Sequence, residues 1–184
     1  MAKLVLSMFL SLDGYVEGPH GQFIPPAWSD DFGRHWAQAN LERASRLLYG
    51  RTNFEFNKTF WTDPEGPAAG APHAAVMNGL PKTVVSTTLE GDPGWNGQIA
   101  KDLEAVRRLK AESEGDIQSF GGATLADGLI RAGLVDEYVL MITPALFGGG
   151  RRLFVEGQPR QELALIDSRP LDTGAVILRY RPAG

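Results

Sequence analysis

Three short stretches of the chain put phosphate-binding chemistry where an apolar run ends. In Tyr49-Gly50-Arg51-Thr52 the glycine admits close backbone approach, and the arginine after it carries a planar donor fork that matches a phosphate. In Val85-Ser86-Thr87-Thr88 the hydroxyls of Ser86 and Thr87 are donors of the kind that hold a ribose phosphate. In Phe120-Gly121-Gly122-Ala123-Thr124 two adjacent glycines, each costing roughly 1 kcal/mol against alanine in helical surroundings, leave the backbone bare enough to lie against a pyrophosphate. A helix that starts directly after such a turn aims its free N–H groups and the positive end of its dipole at the charge. Each stretch alone reads equally well as a tight corner, because the dipole contributes only about 0.3–1 kcal/mol. Taken together, one with an arginine and one with paired hydroxyls, they fit a dinucleotide carrying an extra phosphate better than three unrelated turns.

Strands and helices must bring these stretches to one place. Residues 3–12 are apolar almost throughout, which suits a central strand covered on both faces, and the loop chemistry of DGYVEGPHGQ follows. Ser29 and Asp30 are possible caps for a first helix carrying Phe32, Trp36 and Ala39 at helical spacing. LLYG predicts a second strand, with a helix opening at Arg51 and closing before the polar, proline-rich loop 62–73. KTVVST is a third strand, a fourth falls around residues 95–99, and an amphipathic helix begins near Lys101. GDIQSF is the next strand, ATLADGLIRA the next helix with Gly133 as its stop, and LVDEYVLMIT a long apolar strand ended by Pro144. ELALIDSR and AVILRYR, separated by the turn signal PLDTG, predict a closing antiparallel hairpin. The alternation gives an α/β domain over 1–184: a mainly parallel sheet with helices on both faces, whose ligands collect at the carboxyl edge of the strands.

Composition narrows the function. At 43% hydrophobic and 22% charged, the 184 residues suit an ordinary globular protein, with no run of the eighteen or so apolar residues a membrane span needs. A net charge of −4 argues against nucleic acid, and the basic residues of KDLEAVRRLK lie on a helix whose other face is apolar. The absence of cysteine excludes thiolate nucleophiles, disulfides and cysteine-ligated metals, and points to a reducing compartment, the cytoplasm. The three histidines, His20, His35 and His73, have no partner at ligand spacing, so no metal site is expected. Walker A, GxSxG, HExxH and GxGxxG patterns are all missing.

The runs SLDGYVEG, LLYGRTNFE, KTVVSTTLE and SFGGATLADGLIRAGLVDEYVLMITPALFGGGRRLF, with a tryptophan and acids opening the first helix, resemble the dihydrofolate-reductase-like superfamily. More closely, the chain resembles stand-alone relatives of the reductase domain of the bifunctional riboflavin-biosynthesis deaminase-reductase. The resemblance implies NADPH contacts from Gly50, Arg51 and Thr52, from Ser86 and Thr87, and from Gly121, Gly122, Ala123 and Thr124. It implies a substrate pocket formed by the first strand, its loop and the first helix, with Ser11, Asp13, Trp28 and Asp31 as its residues, and a homodimer. Asp31 is the positional match for a proton-donating acid, with Asp30 or Asp31 also readable as a helix cap, and Asp13 is readable either as a catalytic acid or as a turn residue. Gly148–Gly150 with Arg151 and Arg152 reads as an anion-binding nest or as a bend with exposed arginines. The zinc deaminase partner domain is excluded, because its cysteine ligands do not exist here. Hydride transfer from NADPH to a small C=N or C=O substrate is the expected activity; the alternative is a nucleotide-binding sensor or partner protein without turnover.

Overall fold

A computed structural model describes residues 2–184. Strand β1 (Leu4–Ser11) is the centre of the sheet, with seven of its eight residues buried. Its even positions, Leu4, Leu6, Met8 and Leu10, enter one core, while Val5 and Phe9 enter another, so the strand is apolar on both faces. At about 1.5–3 kcal/mol for each large side chain removed from water, such a strand holds the layers together.

The remaining strands are β2 (Ala44–Gly50), β3 (Lys82–Val85), β4 (Gly97–Ala100), β5 (Asp116–Phe120), β6 (Glu137–Thr143), β7 (Leu163–Pro170) and β8 (Val176–Pro182). They form one eight-stranded sheet in the order β4-β3-β2-β5-β1-β6-β8-β7. Every pairing from β4 to β6 is parallel, and β8 runs antiparallel to both β6 and β7. The hairpin turn is closed by Leu171 N–H donating to the Ala175 carbonyl at 2.8 Å. This is a dihydrofolate-reductase-like α/β fold with a C-terminal antiparallel hairpin.

Helices cover both faces. Val106 of α5 (Leu103–Glu112) and Leu125, Ala126, Leu129 and Ile130 of α6 (Ala123–Arg131) pack on one face. Phe54 of α3 (Arg51–Thr62) and Met77 of α4 (Ala74–Gly79) pack on the other, beside Leu47, Tyr49 and Val84. Asp102 caps α5 by accepting from Ala105 N–H at 2.7 Å, and Gly133, at φ 61°, ends α6.

Three local features depart from the sequence expectation. The first helix is α-helical only at its ends, α1 (Asp30–Phe32) and α2 (Ala39–Leu41), with a π-helical segment Gly33–Gln38 between them. There the Ala39 N–H reaches back five residues to the Arg34 carbonyl, a widened turn of the kind found at functional sites. Helix α4 lies in a stretch too short to show a period, directly after the polar loop. Strand β6 starts at Glu137 rather than Leu134, because Asp136 turns aside to accept the Leu4 N–H at 2.7 Å and to pair with Lys110 at 2.6 Å.

Candidate functional site

The strand order makes neighbours of the three glycine and hydroxyl turns. β2 lies between β3 and β5, with Gly50 opposite Val85 and Leu48 opposite Ser119, so all three strands end at one edge. At the middle turn Gly50 precedes α3 with no side-chain cap, leaving the first N–H groups of that helix free. Arg51 is held by Glu55 at 2.8 Å, and its Nη1 donates to the Thr88 hydroxyl at 3.3 Å.

Ser86 and Thr87 differ. Ser86 is buried, and its Oγ accepts the N–H groups of Thr88 at 3.3 Å and Leu89 at 3.0 Å, so it shapes the turn. Thr87 is exposed. The hydroxyl that faces Arg51 belongs to Thr88, the third of three consecutive hydroxyl residues, which sequence reasoning passed over because nothing local distinguishes it from Thr87.

At the third turn Gly121 and Gly122 have φ of 72° and 84°, a left-handed conformation that costs other residues roughly 1–2 kcal/mol. A Cβ on Gly121 would lie 3.3 Å from Asn53 Nδ2, and one on Gly122 would lie 3.5 Å from Asn53 Cβ. The Asn53 amide donates to the Phe120 carbonyl, stapling the first turn of α3 to the glycine pair. Asn53 is a second missed residue; its signal was its place in the GRTN run. Helix α6 begins at Ala123 with no side-chain cap, and the Thr124 hydroxyl accepts from Arg151 Nη2 at 2.8 Å. Bare N–H groups at two helix starts, a guanidinium beside a hydroxyl, and a turn stripped of side chains fit the phosphates of a dinucleotide.

The other expected residues lie around the loop after β1. Ser11 is buried, and its Oγ accepts the Tyr15 N–H at 2.9 Å. Both oxygens of Asp13 are engaged, accepting from Phe147 N–H at 3.0 Å and Gly148 N–H at 2.8 Å. The neighbouring Ser11 hydroxyl and these backbone donors hold its carboxyl down to about 2. Of the possible caps the structure uses Ser29, which accepts from Phe32 N–H at 3.1 Å and donates to Asp172 at 2.6 Å; the capping role considered for Asp30 and Asp31 is thereby corrected. A hydroxyl one residue earlier has the extended backbone a cap requires.

Asp31, freed from capping, is partly buried; His35 Nε2 lies 3.3 Å from one of its oxygens, and the Asp172 N–H donates to the other at 3.2 Å. Trp28 is 62% exposed, with its ring 4.6 Å from that of Phe32. Phe9 packs against Trp36 at 4.6 Å with the rings tilted, and Phe23 sits 6.2 Å from both Phe9 and Phe56 of α3. A hollow of about 190 Å³ opens beside this group, lined by residues that include Ile24, Pro26, Thr143, Phe147 and Thr173.

The sheet order defines a class, the dihydrofolate-reductase-like α/β fold. The chain belongs to the RibD C-terminal domain family, whose model matches residues 2–177. It is 29% identical over 180 residues to protein YyaP of Bacillus subtilis (strain 168), covering 97% of this chain and 94% of YyaP. A protein of Shewanella sp. PV-4 described as a riboflavin biosynthesis protein superposes over 100% of both chains, at a TM-score of 0.76 and 23% identity. The dihydrofolate reductase of Enterococcus faecalis, solved with NADP(H), aligns over 99% of this chain and 97% of its own, at a TM-score of 0.67 and 14% identity. Among the described residues no helix is long and apolar enough to cross a membrane.

Proposed function

We propose that the protein is an NADPH-dependent reductase acting on a small, electron-poor C=N or C=O group of the pterin or riboflavin-precursor kind. The observation that carries this reading is the meeting of three separate turns on the adjacent strands β3, β2 and β5. Arg51 with Thr88 would hold the 2′-phosphate, and Gly50, Thr52, Ser86 and Thr87 would line the adenosine end. Gly121, Gly122, Ala123 and Thr124 would take the diphosphate at the start of α6. Bound NADPH supplies a hydride to the electron-poor carbon, and a proton completes the reduction at the heteroatom. The chain's own part is to orient the two reactants and to exclude water from between them.

For the proton we assign Asp31, or a water it holds, rather than Asp13. Asp13 spends both oxygens on the backbone N–H groups of Phe147 and Gly148, whereas Asp31 has the His35 imidazole, a group that can carry a proton, 3.3 Å from one of its oxygens. Asp13 then joins Ser11 and Trp28 in shaping the substrate side. Two copies pairing as a homodimer in the cytoplasm complete this reading.

A second reading, nucleotide binding without turnover, is favoured by one feature: both oxygens of Asp31 already have partners in His35 and Asp172. Two measurements separate the readings. NADPH at a hundred times its Kd should stabilise the fold by about 2.7 kcal/mol and should outperform NADH. NADPH oxidation over a panel of pterins and aminopyrimidine ribose analogues should then show turnover that Asp31→Asn abolishes. Stabilisation by NADPH with no turnover on any of them supports the binding protein, and no stabilisation at all rejects both.

A further inference from the structure

We propose that Arg151, in the glycine-rich loop after β6, is an additional ligand for the cofactor diphosphate; this deepens the NADPH reading above and rests on it. The argument begins with charge. A diphosphate carries two negative charges; the Gly121 N–H is committed to the Ser7 carbonyl at 3.3 Å, so the turn that would receive it supplies the backbone N–H groups from Gly122 onward and about half a positive charge from the start of α6. The amide of Asn53 is committed to the Phe120 carbonyl. Arg51, at the neighbouring strand end, is bound to Glu55 and Thr88. The guanidinium that does reach the first turn of α6 is that of Arg151, at 2.8 Å from Thr124 Oγ1. Among the described residues it has no carboxylate within 4.0 Å; the one whose charge it feels, Asp127, is hydrogen-bonded to Arg131 and Gln158 instead, so the Arg151 donors are left for an anion.

The adjacent arginine is used differently. Arg152 lies over the Tyr15 ring at 4.5 Å and donates to its hydroxyl at 3.3 Å, anchoring the loop. The backbone of the segment is fixed from both sides. Val16 N–H donates to the Arg151 carbonyl at 2.8 Å, and Asp13 takes the N–H groups of Phe147 and Gly148. Gly150, at φ 113°, packs so closely against the Glu17 carbonyl that no side chain fits there. Arg151 therefore projects from a clamped backbone toward Thr124, and less freedom is lost when it meets an anion.

The test compares Kd values for NADPH and NADH, read from tryptophan fluorescence, in the parent, Arg151→Ala, Arg151→Lys and Arg51→Ala. The diphosphate is common to both dinucleotides, whereas only NADPH has the 2′-phosphate. Arg151→Ala should weaken both by the same factor, roughly ten- to a hundredfold for a charged hydrogen bond. Arg151→Lys should recover part of that loss by keeping the charge without the fork. Arg51→Ala should instead collapse the preference for NADPH. Because the Arg151 side chain is exposed, its removal should leave the cofactor-free melting temperature in place. Equal affinity of Arg151→Ala and the parent, or a loss confined to NADPH, overturns the assignment. A parent chain that binds neither dinucleotide overturns the reductase reading itself, and Arg151 with it.

Discussion

Asp13 and Tyr49 are opposite cases of a polar group meeting the fold. Asp13 accepts two backbone N–H groups, and its carboxyl is lowered from 3.8 to about 2. A carboxyl lowered on folding binds fewer protons in the folded chain than in the unfolded one, so its contribution to stability is complete above about pH 4. It is lost as the pH falls through 2. Asp13→Asn should therefore lower the urea midpoint at pH 7, and the gap from the parent should close as the pH approaches 2. A gap independent of pH would mean that the charge of Asp13 contributes nothing. Tyr49 is fully buried beside Phe54 and Trp95, and among the described residues its hydroxyl has no hydrogen-bond partner. Burial drives its ionisation far above the ordinary phenol range. Removing an unpaired buried hydroxyl while keeping the ring relieves a desolvation cost of about 1–3 kcal/mol, so Tyr49→Phe should be neutral or stabilising in a denaturant melt. A loss of more than about 1 kcal/mol would show that the hydroxyl has a partner.

At the scale of elements, a turn can be strained for packing or for a ligand, and two glycine sites separate these. Gly121 and Gly133 both have left-handed φ, 72° and 61°, but a Cβ on Gly121 would meet Asn53 while one on Gly133 would meet nothing within 4 Å. Either change to alanine should cost roughly 1–2 kcal/mol of stability through backbone strain. Only Gly121→Ala should also abolish stabilisation by NADPH, because only it pushes on Asn53, which staples α3 to the turn that would receive the phosphates. A cofactor response that survives Gly121→Ala would remove that turn from the site. The strands, most helices and the glycine turns were legible in the sequence, because apolar period and helix punctuation are local signals. Asn53, Thr88 and the contact of Arg151 with Thr124 were not. Each depends on which turns become neighbours, and that follows from a sheet order that is not the chain order. The π-helical segment was hidden too, since a widened turn keeps the apolar residues on nearly the same face.

At the scale of the whole molecule the sheet ends in two unlike edges. β4 is four residues long, whereas β7 has eight, of which the last six are exposed, with Leu165 57% and Ile166 43% accessible. A long edge strand with unpaired N–H and carbonyl groups and exposed apolar side chains is a template for another strand, and its simplest partner is a second copy of itself. Antiparallel pairing of two β7 strands about a twofold axis at Ser168 would set Asp167 of each copy opposite Arg169 of the other, two ion pairs from one symmetric register. Light scattering at micromolar concentration should then return twice the mass of the chain. Ile166→Glu should return a monomer. Arg169→Asp, which places like charges opposite each other, should weaken the dimer, and adding Asp167→Arg to it should restore the pairing. The edge lies four strand spacings, about 19 Å, from β5 and the glycine pair, so the monomeric variant should keep its response to NADPH. A parent chain that scatters as a monomer, or a charge swap that fails to rescue, would leave β7 as an ordinary exposed edge, protected by the register shift between Leu165 and Asp167.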